Sequence, residues 1–313
     1  MISLSLRLQS MLLDQDTTIP NQFVTELEGI CITLKREDIW DPLVGGNKFR
    51  KLKYNIAQAK ADCADYLLTF GGAFSNHLVA TAAVGKRCGI KTIGVVRGEE
   101  LAEKKRNNSL AFCEAQGMHL LFVTRAAYAK KEEATEVIDF CKDKQVYLLP
   151  EGGTNALAIK GCSEILQPQD KVYDTICTAV GTGGTFVGLS RGVWPHQQLL
   201  GWSTVKDPKV EAFIQHNISL DTSQWALCYD TQAGAYGKAT DELIHFINAF
   251  HKNHQILLDP IYTGKLLFGI FTLIKTKQWK WGKHLLVLHT GGLQSIKGLN
   301  QKHQKSNRPC IVV

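Results

Sequence analysis

Short apolar runs alternate along this chain with longer stretches in which apolar residues recur at helical spacing. The apolar runs predict strands at residues 66–69, 92–96, 120–124, 146–149, 175–180, 199–203 and 285–289. The longer stretches predict helices at residues 51–61, 76–88, 110–116, 128–142, 240–250 and 265–276. Strands that alternate with helices of about 10–15 residues indicate parallel sheets built from βαβ units. We therefore expect an α/β fold whose ligands bind at the carboxyl ends of the strands.

Two glycine pairs, Gly45-Gly46 and Gly152-Gly153, flank a self-sufficient βαβ series in the first half of the chain. This arrangement predicts two domains. Residues 51–151 would form a smaller α/β domain, inserted into a larger domain made from residues 1–50 and 152–313.

The composition and charge of the chain favour a globular protein that binds small ligands over a nucleic-acid-binding, metal-binding or membrane protein. The chain has 313 residues, of which 44% are hydrophobic and 21% charged, as in an ordinary globular protein. Its 36 Lys and Arg exceed its 29 Asp and Glu, but they are spread along the chain, which favours small anionic ligands over nucleic acid. Nine cysteines without a CxxC pair or metal spacing indicate reduced thiols, a cytoplasmic location and no metal. No apolar run approaches the roughly 18 residues of a membrane span.

The most informative window runs from Gly45 to Lys51, where Lys48 follows two glycines and precedes two further cations. Glycines allow the backbone to approach a flat ligand closely. The neighbouring positive charges disfavour the ammonium form of Lys48, and a deprotonated amine is what a Schiff base with an aldehyde requires. Taken alone, the window also fits a basic surface turn.

A second window, Gly181-Thr182-Gly183-Gly184-Thr185, follows a predicted strand and precedes a helical pattern. Backbone N–H groups in such a loop converge on an anion, and the helix dipole adds roughly half a positive charge. The loop is neither a Walker A motif nor a dinucleotide fingerprint, because the Lys-Ser/Thr pair and the GxGxxG spacing are missing. Glycines of a tight turn remain the alternative.

The segment from Phe70 to His77 also joins a strand to a helix. Ser75 and Asn76 occupy predicted N-cap positions, so helix capping explains them without any ligand. The functional alternative is that the hydroxyl and the exposed N–H groups bind a substrate carboxylate. His77, in the first helical turn, is interpreted as a structural donor and not as a base.

Two tyrosines lie in settings that suggest contact with a ligand. Tyr262, with Thr263 beside it, lies near a predicted helix start, and Tyr236 is flanked by Gly234 and Gly237. Buried core tyrosines with a bonded hydroxyl are the alternative interpretation.

Together these windows resemble the pyridoxal-phosphate enzymes of the tryptophan synthase β fold (fold type II). Within that fold they are similar to the 1-aminocyclopropane-1-carboxylate deaminase/D-cysteine desulfhydrase family. The resemblance follows the family's order through residues 35–38, 45–51, 71–77, 150–155, 181–185, 259–265 and 290–292. It implies two domains with mostly parallel twisted sheets flanked by helices, a cofactor between them, and a homodimer.

The resemblance also implies a role for each matching residue. Lys48 would bind pyridoxal 5'-phosphate through a Schiff base, and Ser75, Asn76 and His77 would bind the substrate. The cofactor phosphate would be held by Lys51, Asn76, Gly181, Thr182, Gly183, Gly184 and Thr185. Tyr262 would lie against the pyridine ring with Thr263 at its nitrogen, and Tyr236 would face the substrate, so that Lys48, Ser75, Tyr262 and Tyr236 form the catalytic set.

The chain departs from the family pattern at four positions. Thr263 stands where the members that open cyclopropanes carry a glutamate, and Phe74, Val79 and Ala80 replace polar residues. Thr263 favours β-elimination from a small amino acid, with D-cysteine the leading substrate and pyruvate, sulfide and ammonia the products. The alternatives are deamination of 1-aminocyclopropane-1-carboxylate to 2-oxobutyrate and ammonia, a catalytically weak cofactor-binding protein, and a nucleotide-binding protein that uses the 181–185 loop.

Overall fold

A computed structural model of the chain describes residues 19–41, 44–204, 206–229, 233–235 and 237–313. These residues divide into two compact units, residues 48–158 and residues 19–47 with 159–313. The predicted limits of the inserted domain, residues 51 and 151, lie close to these points, and the domain assignment itself stays a prediction.

The secondary structure alternates between strands and helices over the described residues. The strands are β1 (Asn21–Leu27), β2 (Ile30–Lys35), β3 (Tyr66–Gly71), β4 (Lys91–Arg97), β5 (Met118–Val123), β6 (Val146–Leu149), β7 (Thr175–Val180), β8 (Gln198–Ser203), β9 (Trp225–Tyr229) and β10 (His284–Leu288). The helices are α1 (Asn47–Ala61), α2 (Asn76–Cys88), α3 (Asn108–Ala115), α4 (Arg125–Lys130), α5 (Thr135–Cys141), α6 (Ala156–Ser163), α7 (Gly184–Ser190), α8 (Pro208–Asn217), α9 (Asp241–His254), α10 (Thr263–Lys275) and α11 (Ser295–Gln304).

Each unit contains one sheet. The unit of residues 48–158 has four parallel strands in the order β5-β4-β3-β6. The other unit has six strands in the order β1-β2-β10-β7-β8-β9, all parallel to their neighbours except β1, which pairs antiparallel with β2. The predicted α/β class with mostly parallel sheets flanked by helices is therefore confirmed.

Strand β10 shows why its sheet is parallel and buried. Leu285 and Val287 belong to one hydrophobic cluster, whereas Leu286 and Leu288 belong to a second. Because successive side chains of a strand point to opposite faces, both faces of this sheet are covered. None of the described helices is long and apolar enough to cross a membrane.

Two predicted helices need correction. The helix predicted at 51–61 begins at Asn47, so Lys48 lies on its first turn and not in the preceding loop. The helix predicted at 128–142 is interrupted, because Lys131 has a φ of +55° and Ala134 is extended, with φ −69° and ψ 132°. A continuous helix cannot contain either conformation, so α4 and α5 are separate. Strands β1, β2 and β9 and helices α6, α8 and α11 were not predicted.

Candidate active site

The glycines before Lys48 are required by the chain's own backbone. A Cβ atom on Gly45 would lie 2.1 Å from the carbonyl oxygen of Asp41, and one on Gly46 would lie 2.1 Å from that of Thr290. Gly46 also has a φ of +70°, and its N–H donates to the carbonyl oxygen of Glu37 at 2.8 Å. Close packing within the protein therefore explains these glycines without a ligand, and it fixes where α1 begins.

Lys48 is the second residue of α1 and is half-buried. The next three cations on the same helix, Arg50, Lys51 and Lys53, are all buried. The interpretation as a basic surface turn is therefore wrong. Removing cations from water costs free energy unless acceptors or anions surround them, and each of these three side chains has interaction partners within the protein.

The amine of Lys51 bonds within its own unit. It donates to the carbonyl oxygen of Gly152 at 2.9 Å and to the hydroxyl of Thr154 at 3.0 Å. These contacts tie α1 to the 150–155 segment, one of the windows that carry the family resemblance. The role of Lys51 at the cofactor phosphate stays a prediction.

Ser75 caps α2, as the sequence predicts. It has φ −68° and ψ 116°, and its Oγ accepts a hydrogen bond from the N–H of Leu78 at 3.3 Å. The N–H groups of Asn76 and His77 have no acceptor among the described residues. The first N–H groups of a helix lack intrahelical partners, so this turn offers two N–H donors and a hydroxyl to a carboxylate.

Asn76 and His77 carry buried polar atoms that nothing in the described part of the chain satisfies. These atoms are Oδ1 of Asn76 and both ring nitrogens of His77. Burial lowers the pKa of His77 well below 6.5, and the charges of Lys48 and Lys51 lower it further. A neutral imidazole has one donor and one acceptor to offer, but neither ring nitrogen has a partner among the described residues, so the structural-donor role stays a prediction. The lowered pKa argues against a base near neutral pH.

The other departures in this segment fall into two groups. Val79 packs in a hydrophobic cluster of α2, and Ala80 is fully buried. Phe74, in contrast, exposes 57% of its surface. Of these three changes, only Phe74 exposes an apolar side chain to solvent.

The glycine loop has the geometry expected of an anion cradle. β7 ends at Val180 and α7 begins at Gly184, with Gly183 between them at φ +83°. No acceptor for the N–H groups of Gly183, Gly184 and Thr185 exists among the residues that the structure describes. Backbone N–H groups in a left-handed turn at a helix start form an anion-binding concavity.

The two ends of this loop are held by neighbours in the same unit. The hydroxyl of Thr185 accepts a hydrogen bond from the side-chain amide of Asn47 at 2.9 Å. The ring of Tyr262 lies against Gly181, where an added Cβ would be 3.3 Å from Cε1. Tyr262 and the loop are thus brought together at Gly181.

Asp259 organises the start of α10, a role that the sequence analysis missed. Its buried carboxylate accepts hydrogen bonds from the N–H groups of Ile261 at 2.9 Å and of Tyr262 and Thr263 at 2.8 Å. Burial raises the pKa of Asp259, while these three N–H groups oppose the rise. The signal was available, because Asp-Pro shortly before a predicted helix marks a turn whose carboxylate caps backbone N–H groups.

Thr263, the first residue of α10, is fully buried, and its Oγ1 has no partner in the described part of the chain. A buried hydroxyl without a hydrogen bond is costly, so a ligand atom that pairs with it would bind there with an advantage.

Tyr236 lies outside the described residues. The segment before it is fixed by Lys265, a fully buried residue of α10. Its amine donates to the carbonyl oxygens of Gly234 and, at 3.2 Å, of Ala235.

These observations test whether the residues fit the cofactor that the resemblance implies. Within one unit, the N–H groups of the 181–185 loop suit a phosphate, Tyr262 suits an aromatic ring, and the unsatisfied Thr263 hydroxyl suits a ring nitrogen. Within the other, Lys48 supplies the amine and the Ser75 turn the carboxylate donors. The residues therefore fit, whereas no group of three His, Cys, Asp or Glu in the described residues is placed to hold a metal ion.

Comparison with known proteins agrees with this result. A family model described as pyridoxal-phosphate dependent enzyme matches residues 16–291. A Pyrococcus horikoshii protein, provisionally named a 1-aminocyclopropane-1-carboxylate deaminase, is 30% identical over 85% of this chain and 85% of its own. A Thermotoga maritima protein with the same provisional name is 30% identical over 88% of this chain and 93% of its own.

Solved structures show the same fold. A homologue of 1-aminocyclopropane-1-carboxylate deaminase superposes with a TM-score of 0.81 at 24% identity, over 95% of this chain and 98% of its own. A hydrogen sulfide-producing enzyme from Fusobacterium nucleatum superposes with a TM-score of 0.64 at 16% identity, over 91% of this chain and 98% of its own. The chain therefore belongs to the pyridoxal-phosphate-dependent enzymes of fold type II, with relatives similar to 1-aminocyclopropane-1-carboxylate deaminase.

Proposed function

We propose that this enzyme catalyses β-elimination from a small amino acid, with D-cysteine as the leading substrate. The observation that carries the proposal is Thr263, a buried hydroxyl without a partner among the described residues, at the position that the resemblance assigns to the pyridine nitrogen. Its identity as threonine, and not glutamate, supports elimination over ring opening.

When bound, pyridoxal phosphate supplies an electron sink for the negative charge that develops at the substrate Cα. Lys48 would hold it, the Gly181–Thr185 loop with Lys51 and Asn76 would hold its phosphate, and Tyr262 would contact its ring. Ser75 and the N–H groups of Asn76 and His77 would orient the substrate carboxylate. Lys48 Nζ, freed by the substrate's amino group, is the candidate for removing the α-proton.

The reaction balances with water as the only co-reactant. The Cα–H bond breaks, its electron pair forms the Cα=Cβ bond, and the Cβ–S bond breaks as thiolate leaves. The resulting 2-aminoacrylate is hydrolysed to pyruvate and ammonia. No oxidant or metal is required.

The hydroxyl of Thr263 favours elimination over ring opening because it is neutral. A carboxylate at the pyridine nitrogen would stabilise its protonated, strongly electron-withdrawing form, which a neutral hydroxyl cannot do. Elimination tolerates the weaker sink, because departing thiolate removes the negative charge promptly. Opening a cyclopropane has no comparable leaving group and needs the stronger sink.

Deamination of 1-aminocyclopropane-1-carboxylate is the second candidate, and the provisional names of the Pyrococcus and Thermotoga relatives favour it. The products would be 2-oxobutyrate and ammonia. The homodimer and the cytoplasmic location also stay predictions.

Parallel assays of sulfide and 2-oxobutyrate separate the candidates. We expect sulfide and pyruvate from D-cysteine and little 2-oxobutyrate from the cyclic substrate. Lys48→Ala should abolish both turnover and the visible absorbance of the bound cofactor, whereas Lys60→Ala, in the last turn of the same helix, should alter neither. Oxobutyrate without sulfide would overturn the choice of substrate. Spectral changes with amino acids but no keto acid from any of them would identify a binding protein.

A further inference from the structure

Arg97 lies beside the turn that contains Ser75. It is the last residue of β4, at the carboxyl edge of the four-stranded sheet, where Gly71 pairs with Val96 and Arg97 with Val123. A Cβ atom on Gly72 would be 3.6 Å from Arg97 Nη2. The guanidinium therefore lies against the backbone of this turn. The turn is closed by a 3.0 Å hydrogen bond from the N–H of Ser75 to the carbonyl oxygen of Gly72.

A buried tyrosine holds Arg97 in this place. The guanidinium carbon is 5.7 Å from the ring centroid of Tyr128, and the Tyr128 hydroxyl donates to Glu151 at 2.6 Å. Lys131 lies 3.4 Å from the same centroid and pairs with Glu151 at 2.8 Å. The positive φ of Lys131, which interrupts the predicted helix, allows its side chain to turn back onto the Tyr128 ring. Cation–π contacts of this kind orient a guanidinium without neutralising its charge.

Two carboxylates near this edge are paired with other cations. Glu151 pairs with Lys131, and Glu100 pairs with Arg125 at 2.7 Å. Arg97 has no ion pair with a carboxylate in the described part of the chain, although its side chain is exposed. This oriented guanidinium without an anion lies against Gly72, in the turn that leads to Ser75. The Ser75 hydroxyl and the N–H groups of Asn76 and His77, which have no acceptor among the described residues, follow directly in sequence.

We propose that Arg97 binds the carboxylate of the amino-acid substrate together with the Ser75 turn, and so selects free amino acids over their amides and esters. This inference rests on the proposed function, which places the substrate carboxylate at Ser75. Guanidinium and carboxylate form directed, charge-assisted hydrogen bonds that lysine reproduces only in part. Because the site is exposed, the gain is moderate.

The test compares wild-type holoenzyme with Arg97→Gln, Arg97→Lys and the control Lys91→Gln. Lys91 is the first residue of the same strand, so the control removes an equal charge at the opposite edge of the sheet. D-Alanine and D-alaninamide, which have no leaving group, are titrated while the cofactor absorbance and the heat of binding are recorded. D-Cysteine turnover provides KM and kcat separately.

We expect Arg97→Gln to weaken D-alanine binding about tenfold, equivalent to about 1.4 kcal/mol, and to leave D-alaninamide binding unchanged. KM for D-cysteine should rise by a similar factor while kcat stays within about twofold, Arg97→Lys should be intermediate, and Lys91→Gln should match wild type.

Two results would overturn the inference: unchanged D-alanine binding in Arg97→Gln, or an equal loss for the acid and the amide. Its failure is distinguishable from failure of the proposed function. If wild type binds D-alanine through Arg97 but eliminates nothing from D-cysteine, the reaction is wrong and the carboxylate contact stands. If wild type eliminates thiol and Arg97→Gln behaves identically, the contact is wrong and the reaction stands.

Discussion

Replacing Thr263 by valine should change protein stability and cofactor affinity in opposite directions. The side chain of Thr263 is fully buried, and its Oγ1 has no hydrogen-bond partner among the described residues. Valine has nearly the same shape and no hydroxyl. The substitution therefore removes an unsatisfied polar atom and leaves the packing and the backbone bond to Asp259 in place.

The magnitudes follow from the hydrogen-bond balance. An unsatisfied buried hydroxyl costs about 1–3 kcal/mol, so Thr263→Val should raise the free energy of unfolding of the cofactor-free protein by about 1 kcal/mol. In the holoenzyme, the proposed hydrogen bond to the pyridine nitrogen contributes about 0.5–1.5 kcal/mol. Its loss should weaken cofactor binding about two- to tenfold.

Thr81 provides a matched control. It lies in the middle of α2, is fully buried, and its Oγ1 likewise has no partner in the described residues. Thr81→Val should stabilise the cofactor-free protein as Thr263→Val does, but it should leave cofactor affinity unchanged. The measurements are urea unfolding of cofactor-free protein and titration of each variant with pyridoxal phosphate, followed by visible absorbance.

The reasoning would be refuted if Thr263→Val left cofactor affinity and the cofactor spectrum at wild-type values. Residue 263 would then not face the pyridine nitrogen, and the preference for elimination over ring opening would lose its support. A loss of stability in the cofactor-free variant would show instead that the hydroxyl already has a partner.

Three further predictions concern the residues around the candidate site. Gly46→Ala should reduce cofactor incorporation, because its Cβ would clash with the backbone of Thr290. The control Gly117→Ala, with φ +89° and no atom within 4 Å of its Cβ, should lower the free energy of unfolding only by the roughly 1–2 kcal/mol of left-handed strain. Equal effects of the two variants in unfolding and cofactor titrations would contradict this prediction. Because the pKa of His77 is lowered on folding, the free energy of unfolding should fall as the pH drops below about 6.5. His77→Gln should reduce this pH dependence by at most about 1.4 kcal/mol per pH unit, and an unchanged pH dependence in the variant would contradict the prediction. Lys35→Met leaves Asp170 charged and fully buried without its partner at 2.8 Å, so unfolding should cost about 3–5 kcal/mol less, and a change under 1 kcal/mol would refute the argument.

Strand β7 shows what the sequence predicts best. Residues 175–180 match it at both ends, because a central, fully buried parallel strand is a continuous apolar run bounded by turn residues. Residues 146–149 also match β6 at both ends, although β6 is a partly buried edge strand. The edge strands β1 and β9 lie at the two ends of the six-stranded sheet. Their partly exposed, mixed sequences lack such a run, so they were not predicted.

Interactions distant in sequence explain the remaining differences. Residues 128–142 contain no glycine or proline, yet the helix is interrupted at Lys131, whose side chain pairs with Glu151. Similarly, strand β2 ends in Lys35, a cation that is buried because Asp170, 135 positions away, pairs with it. Local propensity carries no information about such partners.

The candidate site divides in the same way. Helix capping by Ser75 and the strand–loop–helix of residues 175–190 were predictable, because each depends on neighbours in sequence. The reason for the glycines was not predictable, because the group that a Cβ on Gly46 would meet is the backbone of Thr290, which is distant in sequence. A glycine pair before a lysine thus indicates a close backbone approach, but the sequence does not say whether the approaching group is a ligand or the protein itself.

Buried polar atoms without partners indicate a ligand only in combination with their position. Thr81 and Trp225 carry such atoms in the middle of a helix and at the amino end of β9, where no ligand is expected. Asn76 and His77 carry them at the helix start that follows β3, and Thr263 carries one next to Tyr262, whose ring contacts the loop that follows β7. Ligands of parallel sheets bind at these carboxyl ends, so the same unsatisfied atom indicates a packing defect at one position and a binding contact at another. Valine at position 81 and valine at position 263 separate the two meanings: both should stabilise the cofactor-free protein, and only the second should weaken its hold on the cofactor.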